Sequence, residues 1–268
     1  MGNLNVAFHT IRFRTDAGIA YLQFDRPEAN NTINDLLVAE CRQALADHGE
    51  GIRVLVLEGL PEVFCFGADF QAIHGASSEP QLDNETQSAD VLYDLWTDLA
   101  TGPYVTIAHV RGKANAGGIG FVAACDIVLA DERAVFSLSE LLFGLFPACV
   151  LPFLIRRIGM QKAHYMTLMT APIPVEEAHR WGLVDAYAAD SADLLRRHLL
   201  RLRRLSKSGI RRYKQYRASI DAFLTASKMK AVAGNREVFS DPENLETIAC
   251  FVETGQFPWE RRHDASGG

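Results

Sequence analysis

The chain has 268 residues, with 33 acidic against 27 basic side chains, a formal net charge of −6, and 48% hydrophobic and 22% charged residues. This length and composition suit a soluble globular body with its own core and room for an appendage, and the charge argues against nucleic acid as the main partner. The five cysteines (Cys41, Cys65, Cys125, Cys149, Cys250) are odd in number and form no CxxC pair. They exclude a disulfide framework or a zinc site and point to a reducing compartment, the cytoplasm.

In chain order, the N-terminus lacks the basic flank and apolar core of a signal peptide, and Val6 stands where a myristoylation motif wants Ser or Thr. VAFHTIRF and IAYLQF, joined at Thr15-Asp16-Ala17-Gly18, read as a hairpin. Asn34-Asp35 opens an amphipathic helix, LLVAECRQALADHG, that ends at Gly49. IRVLVLEG reads as a short buried strand, and PEVFCFGADF as a loop. The polar stretch Gly75 to Ser88 reads as a lid or a surface loop. A helix to Ala100, the strand YVTIAHV, a glycine-rich turn RGKANAGGIGFVAAC into a helix, and strands IVLAD and AVFSL follow. Strand, helix, strand recurs over residues 53–137, which predicts crossover connections and a parallel or mixed sheet. Beyond Leu141 the pattern is helical, with helices from Ala192 to about Val252. The predicted organisation is a core over residues 1–200 and a helical region over 201–268. Residues Leu141 to Ile155 form the longest apolar stretch, broken by Gly144, Pro147 and Pro152, so no membrane span is predicted.

The glycine-rich turn fails as a P-loop, because Ala114 follows Gly112-Lys113 and Ile occupies position 107. It fails as a dinucleotide fingerprint, because AGGIGF has adjacent glycines and no ribose acid is well placed. Two readings stay open: tight packing of a helix on a sheet, or an anion site at a helix N-terminus. In the second, missing Cβ atoms at Gly117 and Gly118 admit a ligand to the backbone. The loop Phe64-Cys65-Phe66-Gly67-Ala68-Asp69 is a candidate source of a second amide.

FxxGAD, then a strand entering NAGGxG, then FSLSExxxGLxP resembles the crotonase (enoyl-CoA hydratase/isomerase) superfamily. The early FDRPEANNTIN and late EEAHRWGLVD segments extend the resemblance over nearly the whole chain. It implies an α/β fold, a crotonase-like β/α spiral core with a helical C-terminal trimerisation region, in trimers that pair or not into hexamers. It also implies an oxyanion hole from the amides of Ala68 and Gly117, flanked by Gly67 and Gly118. No metal or redox cofactor is implied; the substrate is a thioester on the phosphopantetheine of an acyl carrier protein or on coenzyme A. Arg26 and Ala29 fall where the family contacts that arm; Arg26 reads equally as a surface residue.

Hydratases of this family carry two glutamates. The first falls at Gly120 and is absent; the second falls at Glu140 and is present, alone in the apolar run VFSLSELLFGLF. Burial there should raise its pKa toward the range useful for proton transfer. Asp69 is the alternate acid or a structural loop carboxylate. His74 and Asn115 assist or pack locally, and Lys113 pairs with a distal substrate carboxylate or sits on the surface. The segments NTIND, YDLW, TGPYVTI and VETGQFPW are similar to the dehydratases of polyketide β-branching cassettes. That similarity implies dehydration of 3-hydroxy-3-methylglutaryl on a carrier protein to 3-methylglutaconyl, with a partner crotonase that decarboxylates it. Alternatives are that decarboxylase itself, a coenzyme A hydratase or isomerase of fatty-acid or leucine breakdown, and a non-catalytic thioester-binding protein. The basic run from Arg196 to Arg217 reads as a solvated helical face or a landing strip for an acidic carrier.

Overall fold

The computed structural model describes residues 8–76 and 82–260. Strands β1 (Ile11–Asp16) and β2 (Ile19–Phe24) form the predicted hairpin. Its two turn residues, Ala17 and Gly18, both have positive φ (47° and 82°), the twist that a tight hairpin needs. Helix α1 (Asp35–His48) starts where expected, because the Asn34 side chain accepts from the Leu37 amide at 2.9 Å. Then come β3 (Val54–Glu58), β4 (Val63–Cys65), α2 (Phe70–Ala76), α3 (Leu82–Thr101), β5 (Val105–Val110), β6 (Lys113–Asn115) and α4 (Gly117–Ala124). The chain continues with β7 (Ile127–Asp131), β8 (Val135–Ser137), a 3₁₀ turn at Glu140–Phe143, α5 (Leu151–Met169), β9 (Ile173–Pro174), α6 (Val175–Arg180) and β10 (Ala186–Ala188). Helices α7 (Ser191–Leu202), α8 (Lys207–Ile220), α9 (Phe223–Ser240) and α10 (Pro242–Thr254) end the described chain.

Two sheets organise these elements. One has six strands in the order β1-β2-β3-β5-β7-β10, antiparallel at β1–β2 and parallel elsewhere. The other has four, β4-β6-β8-β9. The pairs β3/β4, β5/β6 and β7/β8 are consecutive in sequence, and each contributes one strand to each sheet. Three successive turns of chain therefore stack as a spiral. The central strands are apolar runs because both faces of the large sheet are covered. Leu55, Leu57, Ala108 and Val110 face the main core with α1, α3 and α4, while Val54, Val56, Ile107 and Leu129 meet Leu194, Leu195 and Leu199 of α7.

The second sheet departs from the sequence reading, which took residues 61–70 as loop; Val63–Cys65 is a strand there. The polar stretch Gly75 to Ser88 is divided. Gly75 lies in the last turn of α2, Leu82 starts α3, and residues 77–81 lie outside the described residues. Within α5, Gly159 has φ 79° and ψ 161°, so two predicted helices meet end to end there. The C-terminal helices fold back over the core: α9 packs on α3, and α10 on α2. A satellite cluster of Phe143, Leu145, Val238 and Ile248, with Phe70, Phe251 and Phe257 against it, clamps α9 and α10 over the 3₁₀ turn.

Candidate active site

The small sheet aims three loops at one edge. Strands β4, β6 and β8 are parallel neighbours, so the segments after their C-terminal ends, Phe66–Asp69, Ala116–Gly118 and Leu138–Glu140, emerge side by side. In open parallel sheets this end is where ligands bind. Gly67 has φ 94°, and a Cβ there would lie 3.3 Å from the Gly117 nitrogen and closer still to the Ala116 Cβ. A Cβ on Gly117 would in turn lie 3.9 Å from the carbonyl carbon of Gly67, the atom bonded to the Ala68 nitrogen. The amides of Ala68 and Gly117 are therefore brought together.

Both amides are left without a partner among the described residues. Ala68 bridges to Ile33 as a parallel strand, but the two hydrogen bonds use the Gly67 carbonyl (2.7 Å) and the Asp69 amide (3.1 Å). Gly117 is the first residue of α4, where helix geometry leaves amides free. The residue before it, Ala116, takes φ 49° and ψ −121°, a conformation non-glycine residues seldom adopt, and its amide is pinned to the Ser137 carbonyl at 3.0 Å. Gly118 does something different from the open ligand approach considered above. A Cβ there would collide with the Cys65 carbonyl, 3.0 Å from its carbon, so this glycine lets α4 press onto β4.

Glu140 sits at the start of the 3₁₀ turn. The residue is half-buried overall, yet its Oε2 is sealed from solvent and has no hydrogen-bond partner among the described residues. Burial pushes its pKa up to about 7, although the backbone amides of Glu140 and Ser139 pull it partly back. Asn115, fully engaged and 7% exposed, ties the three loops together. Its Nδ2 donates to Ser139 Oγ at 2.9 Å and to the Phe66 carbonyl at 3.4 Å, and its Oδ1 accepts from Ser137 Oγ at 2.7 Å.

The remaining sequence candidates separate. Arg26 and Asp69 pair with each other at 2.9 Å, both nearly buried. The other Asp69 oxygen caps α2 by accepting from the Ala72 amide at 3.1 Å, and Arg26 Nη1 donates to the Thr32 carbonyl. Both Asp69 oxygens are thus engaged within the fold. Ala29 ends a short 3₁₀ turn (Pro27–Ala29) that rests on the Arg26 carbonyl. His74 reaches Glu253 of α10 at 3.5 Å, and Lys113 is exposed at the start of β6.

One residue that sequence reasoning missed stands out. A Cβ on Gly120 would sit 2.8 Å from Trp96 Cε2 and closer still to Cζ2 and Cη2. The absent first glutamate is thus more than a deletion: the Trp96 indole of α3 fills the place where that side chain would begin. Only the YDLW motif marked this position in sequence.

The basic run resolves largely into ion pairs. Arg196 and Arg197 meet Asp193, Arg203 meets Asp16, and Arg211 meets Glu50. A cleft of about 730 Å³ lies at the far end of α4, lined by Asp126, Arg156, Lys214 and Arg217 among others, and it does not include the paired loops. Among the described residues no group of His, Cys, Asp and Glu is placed to hold a metal, and no helix is long and apolar enough to cross a membrane.

A two-sheet spiral with paired loop amides at the end of its small sheet is the crotonase β/α fold. Residues 14–262 match the model of the family described as enoyl-CoA hydratase/isomerase, and the chain belongs to that family. It is 60% identical, over 95% of its length and 98% of the relative's, to the bacillaene synthase dehydratase PksH of Bacillus subtilis (strain 168). It is 30% identical, over 69% of its length and 73% of the relative's, to the 1,2-epoxyphenylacetyl-CoA isomerase of Escherichia coli (strain K12). A crystal structure of a polyketide-biosynthesis enoyl-CoA hydratase (pksH) from Bacillus subtilis superposes with a TM-score of 0.89 at 58% identity, covering 94% of this chain and all of that one.

Proposed function

We propose that this chain is a hydro-lyase of polyketide β-branching, dehydrating a 3-hydroxy-3-methylglutaryl thioester to the 3-methylglutaconyl thioester. The observation that carries the reading is the 60% identity, end to end, with a dehydratase of polyketide synthesis. The site supplies the chemistry. The thioester oxygen accepts from the amides of Ala68 and Gly117, and these donors are aimed where enolate charge develops. Glu140, as carboxylate, removes a C2 proton, and the electron pair moves into the enolate. The enolate then collapses to the C2=C3 double bond as the C3–O bond breaks. The proton held on Glu140 goes to the departing hydroxyl, so water leaves and the carboxylate is regenerated. One carboxylate whose pKa lies near 7 can take and return a proton in one cycle. The closure of position 120 by Trp96 supports a route with one carboxylate over one with two.

The donor in this reading is an acyl carrier protein, with coenzyme A as the smaller equivalent. The enzyme works in the cytoplasm, where its five free thiols stay reduced, as a trimer or a pair of trimers assembled through the helical region. The test is incubation with hydroxymethylglutaryl on carrier protein and on coenzyme A, read by intact mass. Loss of one water is the expected result. Loss of carbon dioxide from methylglutaconyl instead would assign the decarboxylase, and no conversion of either thioester would overturn the reading.

A further inference from the structure

The turn that carries Glu140 is held to the rest of the fold largely by packing. Strand β8 ends at Ser137, and the backbone bonds of the 3₁₀ turn close on the turn itself. The Leu142 amide donates to the Ser139 carbonyl at 3.1 Å, Gly144 to Leu141 at 3.3 Å, and Leu145 to Glu140 at 3.1 Å. The anchor is Phe143, 5% exposed. A 3₁₀ helix has three residues per turn, so Phe143 lies on the same face as Glu140.

The Phe143 ring is shared by two elements. It meets Phe70 of α2 edge-on, with ring centroids 5.1 Å apart, and Phe70 is the second residue after Ala68. It meets Phe251 of α10 edge-on at 5.0 Å and Phe257 at 5.8 Å, and those two rings pack on each other at 5.1 Å. Edge-on packing is a favoured geometry for aromatic pairs. The turn that carries the base and the segment that carries one oxyanion-hole amide are thus joined by a single ring contact, and α10 backs it. Helix α10 also touches both partners at other points. Glu253 reaches His74 of α2 at 3.5 Å, and a Cβ on Gly144, at the end of the turn, would lie 3.0 Å from Asn244 Cγ. Asn244 Nδ2 in turn donates to the Val238 carbonyl at 2.9 Å, which fastens α10 to α9.

Resting on the dehydratase reading above, we propose that Phe251 is a positioning residue: by bracing Phe143 against Phe70 it sets Glu140 at its working distance from the thioester held at Ala68. Phe251 acts through the Phe143 ring and the turn. Proton transfer is the step that registers it, because a base displaced by a fraction of an ångström no longer meets the C2 proton in line. Binding of the thioester rests on the hole and the carrier arm, which this brace leaves in place.

The test separates positioning from general stability. Phe251→Leu keeps an apolar side chain and removes the ring edge. Per folded chain it should lower kcat about tenfold with KM nearly constant. A loosened turn also admits water to Glu140, so the acid limb of kcat/KM should move below its value of about 7. Phe251→Tyr restores the ring edge and should recover most of kcat. Leu199→Ala, a loss of packing in the α7 layer on the other face of the large sheet, controls for stability and should move neither readout. Phe143→Leu with Phe251→Leu should cost no more than Phe143→Leu alone, because the brace works only through that ring. Unchanged kcat and pH limb in Phe251→Leu, a Tyr variant as slow as the Leu variant, an equal fall in Leu199→Ala, or full additivity in the pair overturns the proposal. Should Phe251→Leu fail to fold, Phe257→Leu removes the second ring of the same brace and gives the same readouts. If the wild-type chain dehydrates no hydroxymethylglutaryl thioester, the dehydratase reading fails and this inference with it. An active wild type with indifferent variants removes this inference alone.

Discussion

At the C-terminal end of α4, Asp126 accepts from Lys214 Nζ at 2.7 and 2.5 Å, from the Thr106 amide at 2.9 Å and from the Thr106 hydroxyl at 3.1 Å. At the N-terminal end, eight residues of helix away, Glu140 keeps one oxygen without a partner among the described residues. Burial lowers the pKa of Lys214 against the pull of Asp126, so the far pair is also desolvated. The difference is therefore in satisfaction rather than depth. One end of the helix spends its buried charge on the fold. The other leaves the carboxylate of the proposed base open, at a cost that the bound substrate of the proposed reaction would offset.

The largest effect that would break this comparison is on Glu140. Glu140→Gln should lower kcat by about 10³-fold, the range of a lost general base, while the chain stays folded. A variant with near-normal turnover would remove Glu140 from the chemistry. Next is the satisfied end. Asp126→Ala strands Lys214 and should destabilise the chain by about 3 kcal/mol in chemical denaturation, with kcat of the folded fraction unchanged. A loss no larger than that of a surface pair would show that the two ends do not differ as described.

The pH dependence sharpens the same contrast. In the proposed reaction Glu140 starts as the carboxylate, so kcat/KM should climb with pH up to about 7 and level off above it. For stability the sign is opposite. The folded chain holds this proton up to about pH 7, whereas the unfolded chain releases it near 4.5. Between those values the native state binds more protons, so stability falls as pH rises, then stays flat. Glu140→Gln should lack that fall and be the more stable protein at pH 8, by up to about 3 kcal/mol.

Much of this was legible in the sequence, and the exceptions share a cause. The hairpin turn, the Asn34 cap and the isolated Glu140 carry their signal within a few neighbouring residues. The second sheet does not: Val63–Cys65, Lys113–Asn115 and Val135–Ser137 are three-residue strands, too short to show a period. The engagement of Arg26 with Asp69 spans 43 positions, and Arg203 and Arg211 find their carboxylates on Asp16 and Glu50 at the other end of the chain. Trp96 is the sharpest case. Gly120 shows in sequence that a carboxylate is missing, but only packing shows what stands in its place.

Asn115 gives the smallest expected effect and the finest distinction. It was a candidate for touching substrate, yet its amide is occupied by Ser139, Phe66 and Ser137. Each of these lies on a segment that carries one group of the proposed site: Phe66 precedes Ala68, Ser137 holds the Ala116 amide before Gly117, and Ser139 precedes Glu140. Asn115→Ala frees all three segments from one another and should lower kcat about tenfold, with KM nearly constant, because geometry needed only in the transition state is lost. If KM rises while kcat holds, Asn115 contacts the acyl group directly, and the three loops are held in register by the small sheet alone.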